Sequence, residues 1–285
     1  MPLDLNKLES LKSTLSANEI DRLNLYVNEA NFIYSLIEKD LNVEPFNFYE
    51  IGSGIGLLSR MVAEKGHNVI GTEPATSGFG VVKVLQKVIE ESFVTNSKTP
   101  IFYYVTAEEL FPRLQKYISF EYIFCANVVE HVADIQIFFD STLPLLSQKG
   151  LFRFVCPNYA FPYEPHFGFL TIFSKKWTLK IQQKKIQEME KERQENLQQF
   201  YDELSFPNIQ KINRKINKKI YKIDYSKLAT LEYIKRATHD NFFKSRKKVI
   251  STIVRRSGTI LLFAIRFIPK SILPIIDGRI TKSFN

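Results

Sequence analysis

Phe46-Asn47-Phe48-Tyr49-Glu50-Ile51-Gly52-Ser53-Gly54-Ile55-Gly56 is the stretch whose reading decides the fold. Its first six residues read as an apolar, aromatic-rich strand. Three glycines at alternate positions follow, and then a helix from about Leu57 to Lys65, stopped by Gly66. Glycines permit a tight turn and let a ligand approach the backbone closely. The helix N-terminus behind them offers free N–H groups and a positive dipole end, which suit a phosphate or a carboxylate. Asn68–Thr72 reads as a second strand ending at Glu73, 21 positions past Gly52. A carboxylate there is placed to accept hydrogen bonds from ribose hydroxyls. Strand, turn, helix, strand and acid together are more specific than the glycines alone. The competing structural reading is a glycine turn in an unrelated α/β protein.

The alternation continues downstream. Val81–Glu91 reads as a helix, Ile101–Val105 as a strand, Glu121–Ala126 as a strand and Ile135–Leu146 as a helix. Gly150 then opens the strand Leu151–Cys156, stopped by Pro157. Nearly continuous apolar strands alternating with helices predict an α/β protein with a doubly wound, mostly parallel sheet covered on both faces. Upstream, residues 3–39 read as two helices: Leu5, Leu8, Leu11 and Leu15 share one face, and Ile20, Leu23, Val27, Ala30 and Tyr34 another. Ser16 or Asn18 is the expected cap of the second. After Pro157 come an aromatic and proline-rich segment (158–173), a charged helical stretch (175–203), a helix from Pro207 to Lys215, a strand at Ile220–Tyr225 and a helix over 227–256. The expected organisation is a helical cap at 1–45, a core at 46–158, an acceptor-side loop and helical insertion at 159–218, and a late strand with a helical C-terminal extension at 219–285.

Composition is that of an ordinary globular chain of 285 residues, 45% hydrophobic and 24% charged, so global disorder is excluded. Cys125 and Cys156 give no disulfide framework and read as packing residues of buried strands. His67, His131, His166 and His239 are scattered and show no metal-ligand spacing, so no metal is expected. The start carries no basic region followed by an apolar run, and no stretch reaches the ~18 uncharged apolar residues of a membrane span. A cytoplasmic location is the default expectation. The net charge of +9 is concentrated between Lys175 and Lys282. A basic surface suits nucleic acid, anionic lipid or an acidic acceptor, and an equally weighted reading is a chain that is simply lysine-rich. Lys248, Arg255 and Arg266 fall opposite Ile250, Ile253, Ile260 and Leu261 on a helical wheel. That pattern suits an interfacial helix in peripheral contact with lipid, although Gly258, Pro269 and Pro274 interrupt it and favour core packing.

A dinucleotide site has the spacing G-x-G-x-x-G. Here the third glycine comes one residue early, and Glu50 stands two before the first. This resembles motif I of the class I S-adenosylmethionine-dependent methyltransferases, whose domain is Rossmann-like. Thr106–Pro112 is similar to the segment that surrounds adenine in that family. An acid is often found where Thr106 stands, which makes Glu108 the substitute, next to Ala107. Phe120–Val132, with its Asn127-Val-Val-Glu130-His131-Val132 ending, resembles the fourth strand and its exit, and Gly150–Asn158 the fifth. The resemblance covers residues 46–158. Tyr163–Gly168 is similar to a stretch of one bacterial subgroup acting on small molecules or glycans.

The resemblance implies S-adenosylmethionine as cofactor. Glu50 would hold the methionine amino group, Gly52, Ser53, Gly54 and Gly56 the turn around the cofactor, and Glu73 the ribose. Ala107 and Glu108 would flank adenine, and Asn127 would touch cofactor or substrate. Methyl transfer from a sulfonium is an in-line displacement that needs position and exclusion of water. A hydroxyl acceptor also benefits from a base, usually histidine. His131 and His166 are the catalytic candidates, and Glu130, Tyr163 and Glu164 the candidates for the acceptor pocket. For His131 the competing reading is a packing histidine paired with Glu130. The expected function is methylation of a small-molecule, glycan or lipid-linked acceptor, on oxygen before carbon or nitrogen. A nicotinamide-dependent oxidoreductase and a non-catalytic S-adenosylmethionine-binding module are the alternatives. No nucleic acid is expected, since the chain has no N/D-P-P-Y/F-type tetrad and no basic–aromatic recognition module.

Overall fold

The computed structural model describes residues 5–41, 44–74, 80–92, 98–172, 174–193, 196–239, 258 and 260–283. The strands are β1 (Asn47–Ile51), β2 (Asn68–Thr72), β3 (Ile101–Tyr103), β4 (Phe120–Ala126), β5 (Leu146–Pro157), β6 (Tyr221–Ser226) and β7 (Ile275–Lys282). They form one sheet in the order β3-β2-β1-β4-β5-β7-β6. β1 pairs in parallel with β2 and β4, and β2 in parallel with β3. Both Phe48 and Tyr49, successive residues of β1, are fully buried, which requires cover on both faces of the sheet. The doubly wound, mostly parallel α/β sheet expected from the strand–helix alternation is therefore present.

The chain divides into two compact units, one holding residues 1–126, 140–153 and 281–285, the other residues 127–139 and 154–280. In the first, α1 (Leu5–Lys12) and α2 (Ala17–Leu41) are the two expected helices. Ser16 caps α2: its hydroxyl accepts from Glu19 N–H, and Glu19 Oε2 accepts from Ser16 N–H at 2.7 Å. Leu23 of α2 packs with Ile55 of the glycine loop, with Leu57 just after it, and with Val82, Leu85 and Ile89 of α4 (Gly80–Ser92). The helical pair is thus part of the core that backs the loop. The C-terminal end of α2 is tied to the sheet by Arg153, which is fully buried and donates to Leu36 O at 2.7 Å and to Asp40 Oδ2 at 3.1 Å. Tyr122 Oη also donates to Asp40, at 2.9 Å. His67 is a packing residue: Phe46 N–H donates to its Nδ1, and its Nε2 lies 3.0 Å from Leu41 O.

Gly71 of β2 lies opposite Phe102 of β3. A Cβ on Gly71 would stand 2.7 Å from the Phe102 ring, and so would a Cβ on Gly56. One aromatic ring therefore requires glycine at both positions. Two features differ from expectation. β5 begins at Leu146, not at Gly150; Gly150 lies inside the strand, where a Cβ would meet Phe120 O at 2.8 Å. The C-terminal extension, read as helical, ends in β7. Asp277 and Gly278, poor strand formers, sit inside it because Phe154 packs against the bare Gly278 backbone and buried Asp277 accepts from Ala229 N–H.

In the second unit, α7 (Lys175–Arg193) and α8 (Leu197–Glu203) divide the charged stretch. Ile186, Leu197, Tyr201 and Leu204 pack there with Phe167 and Phe169 of the aromatic segment. Asn208 caps α9 (Ile209–Lys215), and α10 spans Leu228–His239. Residues 260–265 are helical, while Lys248, Ile250, Ile253 and Arg255 of the expected interfacial helix lie outside the described residues. Among the described residues no helix is long and apolar enough to cross a membrane.

Candidate functional site

The turn between β1 and α3 (Leu57–Ala63) is built on left-handed backbone. Gly52, Gly54 and Gly56 have φ of 76°, 53° and 78°, values that cost any side-chain-bearing residue about 1–2 kcal/mol. The turn is clamped to the end of β2, with Gly52 N–H and Ser53 N–H both donating to Thr72 O, at 2.8 and 2.9 Å. Gly54 N–H donates to Glu73 Oε2 at 2.8 Å, and Gln86 Nε2 donates to Gly54 O at 2.8 Å. Tyr26 of α2 lies over the turn, its ring 3.5 Å from where a Gly54 Cβ would stand.

Two carboxylates flank the turn. Glu50, at the end of β1, is 6% exposed and accepts from Ser59 Oγ at 2.5 Å. Burial pushes its pKa up to about 7; the Ser59 hydrogen bond opposes this and the Glu73 charge adds to it. Burial also raises Glu73, against the pull of Gly54 N–H. Two sequestered acids, of which Glu73 raises Glu50, suit a ligand that brings positive charge and hydroxyl donors. Neither Ser59 nor Tyr26 nor Gln86 stands out in sequence, though Ser59 is three residues past Gly56, one turn into the helix that the glycines predict.

Downstream, Thr106 is spent on structure. Its hydroxyl accepts from Glu109 N–H at 3.2 Å, and Glu109 Oε2 accepts from Thr106 N–H at 2.8 Å, a capping box that starts α5 (Ala107–Leu114). Ala107 is buried, and Glu108 in the same first turn takes no part in the box.

The second unit assembles the other candidates. Asn127 follows β4 with φ 54°, an arrangement that asparagine tolerates, and its N–H donates to Val155 O at 2.8 Å. Beyond it, Glu130, His131 and His166 bring ligand-type atoms within 4.8 Å of one another. His131 Nε2 is 4.0 Å from Glu130 Oε1. The two imidazoles meet edge to face at 5.2 Å, with Phe200 5.3 Å from each. Glu164 is fully buried and holds the cluster from behind: it accepts from Phe167 N–H at 2.7 Å and from Tyr159 Oη at 3.0 Å, and its Oε1 lies 2.7 Å from His166 Nδ1. Tyr163 is half-buried at the edge of this segment.

Glu130 is fully buried, yet neither carboxylate oxygen has a hydrogen-bond partner among the described residues. Ser205 fixes only the backbone beside it, donating from N–H to Glu130 O and from Oγ to Val129 O. Burial pushes the Glu130 pKa up to about 7, opposed by His166. Burial, reinforced by His166, pushes His131 down to about 4, so its ring is neutral near pH 7. The fold has thus gathered two of four histidines whose spacing in sequence gave no sign of it.

No family model matches this chain. A protein of Mycobacterium tuberculosis (strain ATCC 25618 / H37Rv), described only as uncharacterized, is 26% identical over 259 residues, covering 89% of this chain and 85% of that protein. The ubiquinone biosynthesis O-methyltransferase of Rhizobium etli (strain CIAT 652) is 33% identical over 110 residues, which are 38% of this chain and 40% of that enzyme. Among solved structures, the plantazolicin methyltransferase BamL, in complex with a triazolic desmethylPZN analog and SAH, aligns over 97% of this chain and 90% of its own, with 12% identity and a TM-score of 0.47.

Proposed function

We infer, from a chain whose fold is that of the class I S-adenosylmethionine-dependent methyltransferases, that it methylates an oxygen of a small-molecule, glycan or lipid-linked acceptor. The observation that carries the reading is the pair Glu50 and Glu73 on either side of a left-handed glycine turn. The donor set fits the cofactor. Its ammonium group would supply the positive charge that Glu50 lacks, and its ribose hydroxyls would donate to the remaining oxygen of Glu73. Gly52, Ser53, Gly54 and Gly56 would leave room for it, Ala107 and Glu108 would border adenine, and Asn127 would contact cofactor or substrate. When bound, the cofactor supplies an electrophilic methyl group on sulfur. The chain's own residues bind it, orient the acceptor and keep water out.

His131 and His166 are assigned to activating the acceptor oxygen, with Glu130, Tyr163 and Glu164 around it. His166 has the arrangement of an oriented imidazole, with a buried carboxylate at Nδ1. The partial match to a ubiquinone biosynthesis O-methyltransferase supports oxygen as the methylated atom. The test is release of S-adenosylhomocysteine by the purified chain across a panel of phenols, sugars and polyprenyl-linked alcohols. Turnover with a hydroxylated acceptor supports the reading. Turnover only with amines, or none with any acceptor despite tight cofactor binding, contradicts oxygen methylation; the latter result favours a binding module.

A further inference from the structure

A buried carboxylate with both oxygens unpartnered is an expensive thing to keep. Glu130 is such a group, and a ring nitrogen of His131 and one of His166 each lie within 4.8 Å of one of its carboxylate oxygens. We propose that Glu130, His131 and His166 form a binding site for a first-row divalent cation, of which Zn²⁺ is the representative, with Glu164 orienting His166 from behind.

Four features converge on a cation. The ligand set, two imidazoles and one carboxylate, is one that zinc accepts with positions left open. The histidine–carboxylate pair His166 Nδ1–Glu164 Oε1, at 2.7 Å, fixes the tautomer and leaves Nε2 free to coordinate, the usual support for a metal-bound imidazole. Glu164 is itself held by Tyr159 Oη and Phe167 N–H, so the orienting group is rigid. Phe200 walls the site, while His131 keeps 36% of its side-chain surface open, which provides a way in. Ligand atoms sharing one tetrahedral ion sit about 3.4 Å apart, given bonds of roughly 2.0–2.1 Å. The present spacing of up to 4.8 Å therefore closes by at most about 1.4 Å on loading, within reach of side-chain rotation.

The site follows from these residues alone; its role rests on the oxygen-methylation reading above. A cation with open positions takes a hydroxyl of the acceptor as a further ligand and lowers its pKa, which assigns to the metal the activation otherwise left to a bare imidazole.

The test titrates Zn²⁺ into the chelator-treated full chain against a chromogenic chelator, with binding of S-adenosylhomocysteine measured on the same samples. The expected result is one Zn²⁺ per chain. Glu130→Gln should weaken it at least 100-fold, and Glu164→Gln, which leaves all three direct ligands in place, about 10- to 100-fold, with S-adenosylhomocysteine affinity unchanged in both. Zinc stands near the top of the affinity order for such ligands, so absence of Zn²⁺ binding by the wild-type chain overturns the proposal. Stoichiometric binding indifferent to both substitutions overturns it equally. Loss of S-adenosylhomocysteine binding with Zn²⁺ binding intact leaves the metal site standing and sinks the methyltransferase reading instead.

Discussion

Replacing Glu50 by glutamine should stabilise the fold and damage the function. Glu50 is 6% exposed, and burial lifts its pKa from 4.5 to about 7. The folded chain therefore holds this proton more tightly than the unfolded chain. A raised folded-state pKa contributes stability that is fully present below the unfolded value, near pH 4.5, and is lost as pH rises through about 7. The displacement corresponds to roughly 3 kcal/mol at 25 °C, a large share of a typical ΔG of unfolding. Glutamine has the same shape and keeps an oxygen for the Ser59 hydroxyl, but it has no charge to desolvate. Urea unfolding of the wild-type chain and of Glu50→Gln at pH 5 and pH 8 reads the difference directly. The variant should gain up to about 3 kcal/mol over wild type at pH 8 and only about 1 kcal/mol at pH 5. Taking the difference between the two proteins cancels Glu130 and His131, which titrate in the same range. The same variant should lose affinity for S-adenosylhomocysteine at pH 8, because the carboxylate that destabilises the free fold is the one that meets the ligand's ammonium group. Equal stabilities at pH 8, or a variant that binds the ligand as well as wild type, would refute the reasoning.

Asp40→Ala should cost roughly 3 kcal/mol by removing the carboxylate paired with the buried Arg153 guanidinium, read as a fall in denaturation midpoint at constant m-value. Gly56→Ala combines a left-handed φ of 78° with a Cβ 2.7 Å from Phe102, and a loss of about 2–4 kcal/mol is expected. The double variant Gly56→Ala/Phe102→Leu should recover the steric part alone; full recovery would show that backbone strain is not stored there. Glu73→Ala should raise the dissociation constant of S-adenosylhomocysteine at least tenfold by calorimetry, since it removes the ribose acceptor and the brace on Gly54 N–H together.

The parts of the molecule legible in sequence are those that local rules decide. The segment β1–turn–α3–β2 could be read almost residue by residue because glycine spacing, strand hydrophobicity and the stop at Gly66 all act over a few positions. Ser16, one of the two expected caps, serves as the cap of α2 for the same reason. β7 was not legible because its middle carries Asp277 and Gly278. Their presence in a strand depends on Phe154 and Ala229, 124 and 48 positions away. Gly150 misled in a similar way, since its small size serves contact with Phe120 rather than a strand start. Thr106 stands where an acid is common in the resembling family, and only the capping geometry explains why a hydroxyl serves there. The Glu130–His131–Glu164–His166 cluster lay hidden because its two halves are far apart in sequence, Glu164 standing 33 positions after His131, a separation no ligand-spacing rule covers.

The central claim is that the glycine turn with Glu50 and Glu73 holds S-adenosylmethionine. Calorimetric titration of S-adenosylhomocysteine and, separately, NAD⁺ into the wild-type chain at pH 8 tests it most directly. One site for S-adenosylhomocysteine and no heat from NAD⁺ are expected. Binding of NAD⁺ with none of S-adenosylhomocysteine would contradict it.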